Sequence, residues 1–254
     1  MMHTDERQHE ILRRARAVGR VDVVRLTDDL MVTSEMIRCD LAVLERAGAI
    51  RRVHGGAVPT ERRGFEPALA ARDAALTAEK ERIAKAAIAE LPYGGTVIID
   101  AGTTTSRLVD LFPAEREFTV VVNSPPLATA LAMRPNLTVI ILGGRVRRRT
   151  LAAVDDLGLN ALGNLYVDVA FMATSGLSIE RGLTTSDPGE ADVKGAMIRA
   201  ARRTVLLADH TKIGVDHFTR FGSLDDVDLL ITDRGLDDAM ASELEQTGLR
   251  IMRS

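Results

Sequence analysis

The C-terminal two thirds of the chain are punctuated by seven short aliphatic runs. They lie at 96–100 (TVIID), 118–123 (FTVVVN), 138–142 (TVIIL), 167–173 (VDVAFMA), 204–208 (TVLLA), 229–232 (LLIT) and 249–252 (LRIM). Runs of this length with few polar residues suit strands covered on both faces, the condition of a parallel sheet. Helical stretches separate most of them. Residues 79–91, for example, put Ile83, Ala87, Ile88 and Leu91 on one face. The expected fold class is therefore α/β, a largely parallel sheet with helices on both sides. Aromatic residues make up only 3% of the chain and Trp is absent, so the core must be aliphatic.

The first sixty residues have a different period. Residues 6–17 (ERQHEILRRARA) place Ile11, Leu12 and Ala15 on one helical face and arginines on the other, and Gly19 ends the helix. A second helix is expected around 24–30, with a tight turn at Met31-Val32. Thr33 or Ser34 is a suitable N-cap for a third helix that buries Ile37, Leu41 and Leu44. Its other face shows Ser34, Glu35, Arg38, Cys39, Ala42 and Glu45, short and polar groups of the kind that reach base edges in a major groove. Gly48 follows, and then 49–58 (AIRRVHGGAV) reads as a two-stranded ribbon turned at Gly55-Gly56. Arg51, Arg52 and His54 fall where a wing would meet phosphates. Three helices and a ribbon make a winged helix-turn-helix. Residues 1–63 hold twelve arginines against ten acidic residues, whereas the remainder is net acidic, as befits a small DNA-binding head on a different body.

The run VTSEMIRCDLAVLERAGAIRRVHGGAV, with ERQHEIL upstream, resembles the N-terminal signature of the DeoR family of bacterial sugar-catabolism regulators. The matched positions include Arg7, Ile11, Ile37, Arg38, Asp40, Leu41, Leu44, Glu45, Arg52, His54, Gly55 and Gly56. The chain departs from the pattern at Thr33 (usually Ser), Met36 (usually Thr) and Cys39 (usually Arg). The resemblance implies that Thr33, Ser34, Glu35, Arg38, Cys39, Arg51, Arg52 and His54 face DNA. Arg13, Arg14 and Arg16 read as a solvated face of the first helix.

Residues 59–75 (PTERRGFEPALAARDAA) carry charge and two prolines without an apolar period. The expected division is a winged helix at 1–58, a linker at 59–76 and an α/β domain at 77–254. In open α/β sheets, ligands sit beyond the carboxyl ends of the strands. Here those ends carry DAGTTT (100–105), NS (123–124), GGR (143–145), TSG (174–176) and DHTK (209–212). The first offers Gly102 and then hydroxyls at a helix start, where free N–H groups and the helix dipole favour a phosphate. It is neither a Walker A loop nor a dinucleotide fingerprint, so no cofactor is implied.

DAGTTT, VVNS, LGGRV, ATSG, GLTT, EADVK and LLADHTKIG, followed by VDLLITD, recur in that order in DeoR-family sensor domains, so the resemblance spans essentially the whole chain. It implies a sensor domain similar in fold to ribose-5-phosphate isomerase, binding a phosphorylated sugar or polyol that releases the protein from operator DNA. By position, the implied effector residues are Asp100, Gly102, Thr103, Thr104, Thr105, Asn123, Gly143, Arg145, Ser175, Gly176, Glu190, Lys194 and Lys212. Asp155 stands where the family usually has Gly, and Val169 where it often has Lys. Some residues have a plainer reading. Thr103 could merely cap its helix, Glu190 could complete a capping box with Asp187, and Lys212 could be solvated. Arg147-Arg148-Arg149 reads as a solvated charge run.

A homo-oligomer, dimer or tetramer, is expected, because one winged helix makes few contacts with DNA. No apolar stretch approaches a membrane span, which leads to a cytoplasmic expectation. The histidines lack metal-ligand spacing and the single Cys39 excludes an internal disulfide. The rival reading is a sugar-phosphate isomerase-like enzyme that carries a DNA-binding appendage.

Overall fold

The computed structural model describes residues 3–18, 20–53, 55–59 and 69–254. His54 and residues 60–68, half of the expected linker, lie outside the described residues. The chain divides into two compact units, Met1–Pro67 and Ala68–Ser254.

The first unit comprises α1 (Thr4–Val18), β1 (Val21–Asp22), α2 (Val23–Leu30), α3 (Ser34–Arg46), β2 (Ile50–Val53) and β3 (Gly56–Pro59). Its core gathers Ile11 and Ala15 of α1, Leu26 of α2, Ile37, Leu41 and Leu44 of α3, and Ile50 of β2. Met31 stops α2 in the left-handed conformation, and the Thr33 hydroxyl caps α3 by accepting the Met36 N–H at 3.3 Å. The wing is antiparallel, with Arg51 opposite Val58 and Arg52 opposite Ala57, and β1 adds a third strand on β3. Glycine is obligatory at 56, because a Cβ there would collide with the Val21 carbonyl.

A buried ion pair fastens α1 to α3. Arg7 Nε donates to Asp40 at 2.5 Å, Gln8 donates to the other carboxylate oxygen at 2.9 Å, and both Arg7 and Asp40 are almost inaccessible.

The second unit opens with α4 (Leu69–Ala74) and α5 (Thr77–Ala87), then runs β4 (Gly95–Ile99), α6 (Thr103–Asp110), β5 (Phe118–Val122), α7 (Pro125–Ala132) and β6 (Leu137–Ile141). A small hairpin follows, β7 (Arg145–Val146) and β8 (Ala153–Val154), then α8 (Asp156–Leu162), β9 (Val169–Ala173), β10 (Gly176–Ser178), β11 (Gly182–Thr185) and α9 (Pro188–Arg199). The chain ends with β12 (Thr204–Leu207), β13 (Thr219–Gly222), β14 (Leu229–Thr232), α10 (Asp238–Gln246) and β15 (Ile251–Arg253). The seven predicted runs form one parallel sheet in the order β15-β14-β12-β9-β4-β5-β6.

Alternation along these strands builds two cores. Val97, Ile99, Val120, Val122, Phe171, Val205 and Ile231 face α5, α6 and α7. Ile98, Val121, Ala170, Met172, Leu206 and Leu230 face the opposite way, towards α9 and α10. Two features depart from the sequence reading. The expected linker is structured at both ends, since Pro59 completes β3 and α4 occupies 69–74. Residues around ATSG and GLTT are strands β10 and β11, joined by β13 in a small antiparallel sheet.

Truncating one member of a buried ion pair leaves its partner's charge in an apolar site. Asp40→Ala should therefore destabilise the winged helix by about 3–5 kcal/mol, whereas Arg7→Met/Asp40→Leu should recover most of it. Urea unfolding of the full chain, followed by DNA affinity, checks this.

Candidate functional site

In the first unit, α3 presents Ser34, Glu35, Arg38 and Cys39 to solvent together. Thr33 is exposed too, but its hydroxyl is committed to capping. Arg38 joins no ion pair among the described residues. The two wing arginines differ. Arg52 is drawn back to α3, its Nε donating to Glu45 at 2.6 Å and its backbone N–H to the other Glu45 oxygen at 3.0 Å. Arg51 points from the exposed face of β2 with no such tether. Arg52 thus braces the wing against α3, a role its place beside Arg51 did not reveal.

In the second unit the carboxyl ends of the strands surround a buried polar network. Asp100, fully buried at the end of β4, takes the Lys194 ammonium from α9 and accepts N–H bonds from Asn123 (3.2 Å) and Ala173 (3.0 Å). Burial pushes its carboxyl above the ordinary range, against the pull of Lys194. Asn123 in turn accepts the Ala101 N–H at 2.7 Å, and Lys194 also donates to the Ala173 carbonyl at 2.9 Å. Glu190 sits one helical turn before Lys194, 3.8 Å from its ammonium, and pairs with Arg147 and the Thr150 hydroxyl. Asp187 caps α9 by accepting the Glu190 N–H at 2.9 Å, but the Glu190 carboxylate turns inward instead of completing a capping box.

Arg147 corrects the reading of 147–149 as a solvated run. Its side chain is only 11% exposed and lies between Glu190 and Asp187. A single-sequence run of arginines looks the same whether one member turns inward or not. Arg148 and Arg149 are exposed.

The other candidates follow β4, β6, β9 and β12. Gly102, not Thr103, is the N-cap of α6, and it makes no side-chain cap bond. A Cβ on Gly102 would lie 2.8 Å from the Ala173 side chain and 3.0 Å from the Thr105 hydroxyl, so the glycine serves packing against β9. The buried Thr105 hydroxyl is spent on the Asp100 and Gly102 carbonyls, at 2.6 and 3.0 Å. Thr104 is also buried, whereas Thr103 remains half-exposed at the first turn, where backbone N–H groups have no partner within the helix. Gly176 belongs to β10, where a Cβ would strike the Val215 carbonyl, and half-exposed Ser175 precedes it. Gly143 is exposed, but the glycine that geometry requires is Gly144, at φ 136°. Arg145 is held by Asp155, with contacts of 3.0 and 3.3 Å. Lys212, half-exposed after β12, has no carboxylate within 4 Å among the described residues.

The helix α4 approaches the same elements. Arg107 of α6 pairs with Asp73 at 2.8 Å, and Arg72 donates to the Arg149 carbonyl at 3.2 Å. Lys80 donates to the carbonyls of Arg72 and Ala75. Burial pushes the Lys80 ammonium down to about 8, with Asp209 opposing and Lys212 and Arg107 adding to the shift. A separate cleft of about 510 Å³ opens between α9 and β13, lined by residues such as Asp192, Arg199, Arg220 and Phe221. None of the candidate effector residues lines it.

Residues 7–63 match the DeoR-like helix-turn-helix domain, and residues 76–234 match the DeoR C-terminal sensor domain. The chain belongs to the DeoR family. The regulator GlpR of Haloferax volcanii is 38% identical, over 91% of this chain and 90% of its own length. GolR of Listeria innocua is 32% identical over 97% of both chains. The glycerol-3-phosphate regulon repressor of Escherichia coli is 29% identical over 91% of this chain and 92% of its own. Among solved structures, ribose 5-phosphate isomerase A of Neisseria gonorrhoeae aligns at 16% identity and a TM-score of 0.40, over 54% of this chain and 53% of that one. This DeoR-family protein is a helix-turn-helix transcriptional regulator, and the isomerase alternative gives way. No helix among the described residues is long and apolar enough to cross a membrane.

Beside Lys212, His210 shares a hydrogen bond of 2.8 Å with Asp233. That bond raises the imidazole above its ordinary 6.5, while burial opposes it. Burial would raise Asp233, but hydrogen bonds from the His210 ring and from the His210 and Gly235 N–H groups hold it at about 2. The raised histidine stabilises below 6.5 and loses its contribution as pH climbs through its folded value. The depressed carboxyl stabilises above 3.8 and loses its contribution as pH falls towards 2. Melting of wild type against Asp233→Asn should differ most between those ordinary values, should converge as pH falls towards 2, and should narrow without closing above the histidine's folded value, because the His210 and Gly235 N–H bonds to Asp233 remain.

Proposed function

We propose that this regulator represses genes of sugar or polyol metabolism and leaves its operator when a phosphorylated sugar or polyol binds the second unit. The observation that carries the effector half is the charge balance at the strand ends. Of the three cations in the candidate set, Lys194 is compensated by Asp100 and Arg145 by Asp155, while Lys212 has no carboxylate within 4 Å among the described residues. An uncompensated cation, with open N–H groups at the start of α6, suits an incoming phosphate. The names of relatives point the same way, one being a glycerol-3-phosphate regulon repressor and another a repressor, GlcR.

Release is a shift of population, in which the effector favours an arrangement of the two heads of a dimer or tetramer that no longer fits the operator half-sites. In each head, α3 reads bases through Ser34, Glu35, Arg38 and Cys39, and Arg51 meets phosphate. Because Arg52 is tethered to Glu45, its part is to set the wing's position.

Arg38→Ala should cost about 1–3 kcal/mol on the operator and relax sequence preference. Arg51→Ala should weaken all duplexes alike and flatten the salt dependence. Equal affinity of wild type for its own promoter and for random DNA at moderate salt would overturn operator reading.

The effector half is tested by melting. A phosphorylated sugar that binds only the folded state adds about 2.7 kcal/mol of stability at a hundredfold excess over its Kd. Its unphosphorylated parent should add little. Lys212→Ala should abolish the gain and the effector-driven release while leaving operator affinity intact. A response equal to wild type would remove Lys212 from the site.

A further inference from the structure

Asp155 adopts φ 83° and ψ −178°, a conformation that glycine takes readily and that crowds any side chain. The left-handed residues Met31 and Leu76, by contrast, sit near φ 50° with ψ of 48° and 40°. Asp155 is also the N-cap of α8, yet its carboxylate caps nothing. Both of its oxygens go to Arg145, at 3.0 Å from Nε and 3.3 Å from Nη2. Room for it comes from Gly189, where a Cβ would lie 2.9 Å from Asp155 Oδ1. A strained backbone, a forgone helix cap and a glycine opposite all accommodate one ion pair. Arg145 is 63% exposed and Asp155 44%, so solvent screens the pair and stability does not account for it.

The pair's position gives it another role. Val154 and Ala152 pack on Ala101, immediately before Gly102 and the start of α6. Arg145 and Asp155 therefore flank that helix start on the β5-β6 side, whereas Lys212 follows β12 on the other side of β4 in the sheet order. A ligand phosphate held at α6 and Lys212 leaves the rest of the ligand to extend towards Asp155. There a second phosphate would meet a carboxylate and a guanidinium already occupied by it.

We propose that Asp155 is a specificity-determining residue: by cancelling Arg145, it restricts the effector site to ligands bearing a single phosphate. This rests on the effector reading above.

The test uses the full chain, with fructose 6-phosphate and fructose 1,6-bisphosphate as probes that differ by one phosphate. Calorimetric affinities are compared for wild type, Asp155→Asn and Asp155→Gly. Wild type should bind the bisphosphate no more tightly than the monophosphate. Both variants should shift the ratio of affinities at least tenfold towards the bisphosphate, and adding Arg145→Ala should reverse that shift. Without ligand, Asp155→Gly should melt higher than wild type, since it relieves the backbone, and Asp155→Asn should not. Monophosphate binding with an unchanged ratio in both variants overturns this inference alone, as does a shift that survives Arg145→Ala. Silence of both probes on wild type and both variants overturns this inference, and the effector reading then stands or falls on the Lys212 melting test.

Discussion

Lys194 reaches from α9 across the interior of the sensor unit to Asp100 at the end of β4, and the strand ends are arranged around that contact. Removing two ions from water costs several kcal/mol each, and attraction offsets this only where the remaining polar valences are also met. They are met by backbone and amide groups from three neighbouring strands. Ala173 at the end of β9 supplies both a donor and an acceptor, Asn123 after β5 supplies a donor, and Asn123 in turn holds the Ala101 N–H. One ion pair thereby sets the relative heights of the β4, β5 and β9 loops. Glu190 and Arg147 extend the charge chain to the β7-β8 hairpin, so the hairpin's position depends on the same network. Such a network is strong when complete and costly when any member is removed.

The DNA-binding unit uses charge in the same way on a smaller scale. Arg7 and Asp40 carry no exposed surface to offer to DNA, but their bond fixes the angle between α1 and the helix that bears Arg38. Arg52 is a wing arginine spent on bracing. In both units, then, most signature cations are positioning groups. The groups proposed to meet a partner are those left over, Arg38 and Arg51 in one unit and Lys212 in the other. A count of basic residues would not separate these classes, because partner geometry decides which is which.

The parallel sheet was legible because buried strands leave uninterrupted aliphatic runs, and α3 was legible because its apolar positions recur at helical spacing. The strands β7, β8, β10, β11 and β13 were not. Each spans two to four residues, and Gly176–Ser178 and Gly182–Thr185 are made largely of small residues that read equally well as loop. Side-chain direction was the other gap. Thr103, Thr104 and Thr105 are alike in sequence, yet one is half-exposed, one is buried, and one is spent on two carbonyls. Gly102 suggested close approach of a ligand, whereas its nearest neighbour is the Ala173 side chain. Asp155 showed only as a departure from the usual glycine; its backbone strain is a property of the folded chain that no residue identity announces.

Two lysines near Asp209 illustrate how burial sorts equal chemistries. Lys80 is buried and its ammonium is directed at the carbonyls of Arg72 and Ala75, while Lys212 stays half in solvent. Desolvation pushes Lys80 down to about 8, so the folded chain releases that proton before the unfolded chain does. Its contribution to stability therefore rises with pH between about 8 and the ordinary 10.5. A lysine so enclosed cannot also greet a ligand without giving up the carbonyls that compensate its burial. Lys212 gives up only water. Of two cations at the same end of the sheet, the exposed one is the one proposed to answer a phosphate, because the buried one is already committed to holding α4 against α5.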